Sequence, residues 1–155
     1  MEQGQSVALA ESCTAGLAAD LLGSVPGASK VFWGSFICYT VQAKISMLGL
    51  DAQRLDKFGL VSRETACDMA QAALAKSSAF IAGAVTGLAG PGGDGNGLVA
   101  GTVWIATARR DSEPRALLFN FSGSRNEVRA QAAHALIAEL AQACASPVDM
   151  DNGIE

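Results

Sequence analysis

The seven residues Ala79-Phe80-Ile81-Ala82-Gly83-Ala84-Val85 contain no polar side chain. Successive side chains of a strand point to opposite faces of its sheet, so a strand with this composition has to be covered on both sides. A chain built around such a strand needs a layer of structure above it and another below. The residues that follow, 86–97, are seven parts Gly or Pro out of twelve. That composition excludes regular structure, and an irregular segment of this length is uncommon without a role. It reads as a ligand loop at the C-terminal end of a central strand, with a surface connection as the other possibility.

The rest of the chain supplies the covering layers. Residues 6–10 read as a short buried strand and 15–22 as a helix stopped by Gly23 and Pro26-Gly27. The aromatic-rich stretch 32–39 predicts a second strand. A short helix over 43–48 ends at Gly49, and Ser62 is positioned to cap a helix running to Lys76. Residues 102–108 and 116–121 predict two strands joined by the turn 109–114, and Ser124 caps a long Ala-rich helix to about residue 143. Early β–α alternation implies parallel pairing and the late hairpin adds antiparallel strands. The expectation is an α/β fold, a three-layer α/β/α sandwich with a mixed sheet and helices on both faces. It forms a single domain over 1–145, with a disordered tail at 146–155. Alanine and glycine fill 46 of the 155 positions, so its elements should approach one another closely.

Charge and cysteine usage narrow the function. The net charge is −4 and the 11 basic residues are scattered, which argues against nucleic acid as a main partner. No apolar run approaches the ~18 residues of a membrane span, and residues 1–5 lack the basic and apolar regions of a signal peptide. Cys13, Cys38, Cys67 and Cys144 lie far apart, and His134 is the only histidine. A metal site is therefore not expected, and the thiols read as reduced and cytoplasmic.

Three groups of residues can carry chemistry. Ser12 falls at a strand-to-helix junction, where it either caps the helix or acts as a nucleophile beside unpaired backbone N–H groups. A nucleophilic serine needs a base, and His134 lies among alanines in the last helix. A lysine or tyrosinate is the better partner, and Lys44 stands five residues after Tyr39, the single tyrosine. A lysine serves as base only if desolvation or nearby positive charge lowers its pKa. Cys13 is an alternative nucleophile, because a helix N-terminus lowers a thiol pKa. The loop 86–97 can present backbone N–H groups to a phosphate or carboxylate, although it matches neither the P-loop nor the dinucleotide fingerprint. Arg125 and Arg129 share one face at the start of the last helix, where they oppose the dipole unless an anion binds there or neighbours near Glu127 pair with them.

Together these segments resemble the CinA C-terminal domain family, whose enzymatic members are nicotinamide-nucleotide amidases. Glu11-Ser12-Cys13-Thr14-Ala15-Gly16 is similar to that family's A-E-S-C-T-G-G signature, and Val25-Pro26-Gly27-Ala28-Ser29 to its V-P-G-S-S turn. Tyr39-Thr40-Val41-Gln42-Ala43-Lys44 resembles Y-S-N-x-A-K, and residues 84–93 resemble A-V-T-G-I-A-G-P-G-G. Gly101-Thr102-Val103-Trp104 resembles G-T-V-[WY], and residues 123–129 resemble G-D-R-x-x-V-R. The resemblance covers roughly residues 6–140. It implies Ser12 as nucleophile, Lys44 as general base and Tyr39 as a third catalytic residue that orients or relays. It further implies substrate binding by Cys13, Thr14, Thr86, Gly87, Gly90, Gly92 and Gly93, and by Arg125 or Arg129 near a phosphate. The implied reaction converts nicotinamide mononucleotide to nicotinic acid mononucleotide and ammonia, with no metal or organic cofactor. The implied partners are a small nucleotide substrate and further copies of the chain, as a dimer or larger homo-oligomer, with no nucleic acid or membrane. Relatives fuse this domain to a molybdopterin-binding-like domain; here it is expected to stand alone. Three positions depart from the family pattern: Val41 replaces Asn or Asp, Ala15 a Gly, and Ser124 an acidic residue. They leave open an alternative, a non-catalytic pyridine-nucleotide or phosphate-binding module.

Overall fold

A computed structural model describes residues 5–110 and 112–145. The expected tail at 146–155 lies outside the described residues. Strands β1 (Val7–Glu11), β2 (Phe32–Ile37), β3 (Ile81–Gly87), β4 (Thr102–Arg109) and β5 (Ser112–Asn120) form one sheet in the order β2-β1-β3-β4-β5. Strands β2, β1 and β3 are parallel, whereas β4 and β5 join antiparallel. Helices cover both faces, as the two-sided apolar character of β3 demands. The fold is α/β with a mixed sheet.

The two faces differ in side-chain size. Ala8, Ala10, Ala82, Ala84, Ala106 and Ala108 make one face, on which α4 (Arg63–Lys76) lies through Ala66, Met69, Ala70 and Ala73. The abundance of alanine thus brings a helix close to the sheet. The alternate residues Val7, Leu9, Ile81, Val85, Val103 and Ile105 pack on the other face against α1 (Leu17–Gly23) and α5 (Arg125–Ala145). There Gly83 makes room for α5, since a Cβ would stand 2.8 Å from both Leu136 and Leu140 methyls.

Several boundaries differ from the sequence reading, each for a local reason. Helix α1 starts at Leu17 rather than residue 15, because Ala15 (φ 49°) and Gly16 (φ 98°) have left-handed backbones. Strand β2 ends at Ile37, and Thr40 then caps α2 (Val41–Ala43) by accepting a hydrogen bond from the Ala43 amide. That helix continues as a π-helical turn, Lys44–Leu48. Helix α3 (Ala52–Phe58) was not anticipated, although Asp51 caps it through the Gln53 amide. Glu113 and Pro114, expected in a turn, belong to β5. Proline is tolerated there because β5 is an edge strand.

Candidate active site

The C-terminal ends of the three parallel strands meet where the connections diverge: α1 crosses one face to β2, and α4 crosses the other to β3. In open α/β sheets this switch point is where ligands bind. Ser12 follows β1, Cys38 and Tyr39 follow β2, and Thr86 and Gly87 end β3. The fold therefore gathers the principal candidates at one edge.

Among the described residues Lys44 is the largest fully buried side chain, 1 % exposed, on the first residue of the π-helical turn. Such turns recur at functional sites, where the extra residue redirects a side chain. Its Nζ lies 2.8 Å from Ser12 Oγ, and it donates to Cys38 O (2.9 Å) and Tyr39 O (3.4 Å). None of these partners is a carboxylate. Burial pushes the amine below its ordinary value of 10.5, with Cys38 and Cys13 acting in the opposite sense. A neutral amine has two hydrogens and one lone pair. In that form the two carbonyls can take the hydrogens and leave the lone pair to the serine hydroxyl, the arrangement a general base requires, whereas an ammonium would donate to all three oxygens.

Ser12 does not cap α1. That task belongs to Glu11, a residue the sequence reading passed over. Its carboxylate is fully buried. Oε2 accepts from Thr14 Oγ1 (2.8 Å) and from the amides of Gly16 (3.0 Å) and Ala18 (3.1 Å). Oε1 accepts from the Ala19 amide (3.0 Å) and Ser35 Oγ (3.0 Å). Gly16, at the N-cap, has no side chain to offer, so the carboxylate reaches across from β1. A buried acidic residue beside the serine, before a helix lacking its own cap, was the available signal.

With those amides occupied, the possible anion donors reduce to the turn itself. The Ala15 amide bonds Ser12 O and the Leu17 amide bonds Thr14 O, whereas the Cys13 and Thr14 amides have none of these acceptors. The Cys13 side chain packs in the core, and burial pushes its thiol up to about 11. Desolvation, the largest influence on it, therefore disfavours the thiolate that Cys13 would need as an alternative nucleophile.

The other candidates divide. Tyr39 is half-exposed, and its hydroxyl bonds Arg125 Nη2 rather than Ser12 or Lys44; only its peptide carbonyl faces the lysine. Arg125 Nη1 also bonds Gly90 O, so this guanidinium ties the glycine-rich loop to the tyrosine. Arg129 instead bonds the Cys13 and Thr14 carbonyls and Asn126, not Glu127. Glu127 folds back onto Ser124. Thr86 is buried, and its hydroxyl donates to Leu60 O, anchoring the segment before α4. Gly87 is required by packing, since a Cβ would meet Thr102 O at 2.8 Å. Gly92 and Gly93 lie on the exposed part of the loop. His134 bonds Ala130 O on the surface of α5, apart from this site. No group of three metal-ligating side chains occurs among the described residues.

The model of the CinA C-terminal domain matches residues 1–144. The chain belongs to the CinA C-terminal domain family. A CinA-like protein of Geotalea daltonii is 44% identical over 126 residues, 81% of this chain and 30% of the relative. One from Akkermansia muciniphila is 39% identical over 142 residues, 92% of this chain and 34% of its own. The chain thus spans about a third of the length of the curated relatives it matches. Among solved structures, the competence/damage inducible protein CihA of Agrobacterium tumefaciens superposes with a TM-score of 0.86 at 39% identity, covering 90% of this chain and 85% of that one. The competence damage-inducible protein A (ComA) of Klebsiella pneumoniae gives 0.88 at 32% identity, covering 92% and 88%. In this structure Ser12, Lys44 and the loop after β3 lie at the switch point of the parallel strands.

Proposed function

We propose that this CinA domain is a nicotinamide-nucleotide amidase, hydrolysing nicotinamide mononucleotide to nicotinic acid mononucleotide and ammonia. The observation that carries this reading is the buried Lys44–Ser12 contact, with the lysine deprived of any carboxylate partner. Lys44 Nζ takes the Ser12 hydroxyl proton while Oγ bonds to the carboxamide carbon, and the carbonyl electrons move onto oxygen. The Cys13 and Thr14 amides receive that oxyanion. Its collapse breaks the C–N bond, and the departing nitrogen leaves as ammonia with the proton from Lys44. Water, deprotonated by Lys44, then cleaves the seryl ester to the carboxylate and restores Ser12. The pyridinium charge favours the anionic intermediate, and the free side of the Arg125 cluster gives the phosphate a cationic neighbour. All four thiols are free, in keeping with a cytoplasmic enzyme, and we propose that it works as a homo-oligomer. No described helix is long and apolar enough to cross a membrane.

Ammonia release from nicotinamide mononucleotide, measured beside the Ser12→Ala variant, tests this reading. Turnover that falls at least a thousandfold in the variant is the expected result. Binding without any ammonia release by the wild type would instead make the domain a pyridine-nucleotide-binding module. Turnover within tenfold in Ser12→Ala would remove the serine as nucleophile.

A further inference from the structure

Arg129 lies half-buried on the first turns of α5, and all three of its guanidinium nitrogens are engaged. Nε donates to Cys13 O (3.1 Å), Nη2 to Thr14 O (3.0 Å) and Nη1 to Asn126 Oδ1 (3.1 Å). Three of its five N–H groups thus go to protein acceptors, two of them to the backbone of a single turn. Its targets are consecutive carbonyls of the turn that carries Ser12. Across a planar trans peptide the C=O and N–H point in opposite directions. Holding Cys13 O on the arginine side therefore turns the Thr14 N–H to the other side. The preceding peptide is fixed in the same sense, because Ser12 O accepts the Ala15 amide at 3.1 Å, leaving the Cys13 N–H pointing away from it. Thr14 is gripped from its side chain as well, by the Glu11 carboxylate at 2.8 Å.

We infer that Arg129 is a positioning residue: it aims the Cys13 and Thr14 amides at the reacting carbonyl oxygen rather than binding the substrate phosphate. This rests on the serine-amidase reading of the site. A single oxyanion donor is worth about a hundredfold to a thousandfold in turnover, and misplacement of a reacting group by about 1 Å costs on the order of a hundredfold. Loss of the arginine loosens the turn without deleting either donor. Turnover should therefore fall about tenfold to a hundredfold.

Arg129→Met and Arg129→Lys test the assignment with three readouts. The first is the kcat and KM split on nicotinamide mononucleotide. The second is the preference for that nucleotide over nicotinamide riboside, which lacks the phosphate. The third is the rate at which a fluorophosphonate probe labels Ser12, followed by intact mass, which needs the serine and its oxyanion donors but no nicotinamide. In Arg129→Met, kcat and labelling rate should fall together by about tenfold to a hundredfold, with KM and the nucleotide preference within threefold of wild type. Arg129→Lys should be intermediate, because a point donor can hold one carbonyl but not bridge two. A tenfold rise in KM with loss of the nucleotide preference would overturn the inference in favour of a phosphate ligand. So would unchanged kcat and labelling. If Arg129→Met does not fold, Arg129→Lys is judged by the same thresholds at about threefold. Wild-type labelling without ammonia release would refute the amidase reading while the labelling rates still decide the role of Arg129. A wild type that neither labels nor turns over would overturn both.

Discussion

Replacing Glu11 by glutamine changes one oxygen to an amide nitrogen and removes a buried charge. Its consequence follows from the geometry. The carboxylate accepts five hydrogen bonds, two at Oε1 and three at Oε2, with no exposure to water. The new NH2 group does least harm at the Oε1 position, where the Ser35 hydroxyl can rotate and accept. Even there the Ala19 amide faces a donor. In the other orientation both the Gly16 and Ala18 amides do. One buried unsatisfied donor costs about 1–3 kcal/mol, and losing a negative charge at a helix N-terminus costs about 0.3–2 kcal/mol. The sum is about 1.3–5 kcal/mol, a large part of the ~5–15 kcal/mol available to a domain. At roughly 2–4 °C per kcal/mol for this size, the Tm should fall by about 3–20 °C. Urea unfolding followed by circular dichroism measures the change, with an unaltered m-value showing that the two states compared are the same. A loss below about 0.5 kcal/mol would refute the reasoning, because it would mean that water replaces these bonds at no cost.

Other perturbations separate the roles of neighbouring groups. Burial lowers the Lys44 pKa in the folded state below its unfolded value near 10.5, so between the two the unfolded chain binds more protons and stability rises with pH. The urea midpoint of the wild type relative to Lys44→Met should climb across that window, the raised cysteines that act in the opposite sense being common to both; turnover should be lost in Lys44→Met, and wild-type kcat/KM should rise through the same lowered pKa. Ala15→Gly removes a left-handed alanine, which costs about 1–2 kcal/mol, at an entropic cost of about 0.5–1 kcal/mol. Its urea midpoint should therefore rise by the equivalent of about 0–1.5 kcal/mol, and a clear fall would show that the turn gains from the methyl group. Tyr39→Phe deletes a hydroxyl that bonds Arg125 and leaves intact the carbonyl facing Lys44. Steady-state kinetics should show KM rising with kcat within about fivefold, whereas a hundredfold loss of kcat would give the hydroxyl a part in the chemistry.

Patterns local in sequence were legible before the structure. The unbroken apolar run of β3 demanded covering layers on both faces, and the family signatures singled out Ser12, Lys44 and the loop after β3. Alanine content predicted close packing, though not that it is concentrated on the face beneath α4. Helix α3 escaped because seven residues give a weak periodic signal. The late start of α1 escaped because alanine, a good helix former, there adopts a left-handed backbone. Only the tertiary structure could decide between roles that the same residue types allow. Whether Ser12 caps a helix or faces a lysine depends on Glu11 reaching α1 from a strand, up to eight residues along the chain. Whether Lys44 is solvated or buried against Ser12 depends on three partners brought from the ends of β1 and β2, because desolvation is a property of the surroundings and not of the side chain. The two arginines four residues apart meet different acceptors, Arg125 the loop and Tyr39, Arg129 the turn behind Ser12. Sequence fixes the groups a chain can bring to a site, while their charge states and bonding partners are set by which strand ends the fold makes neighbours.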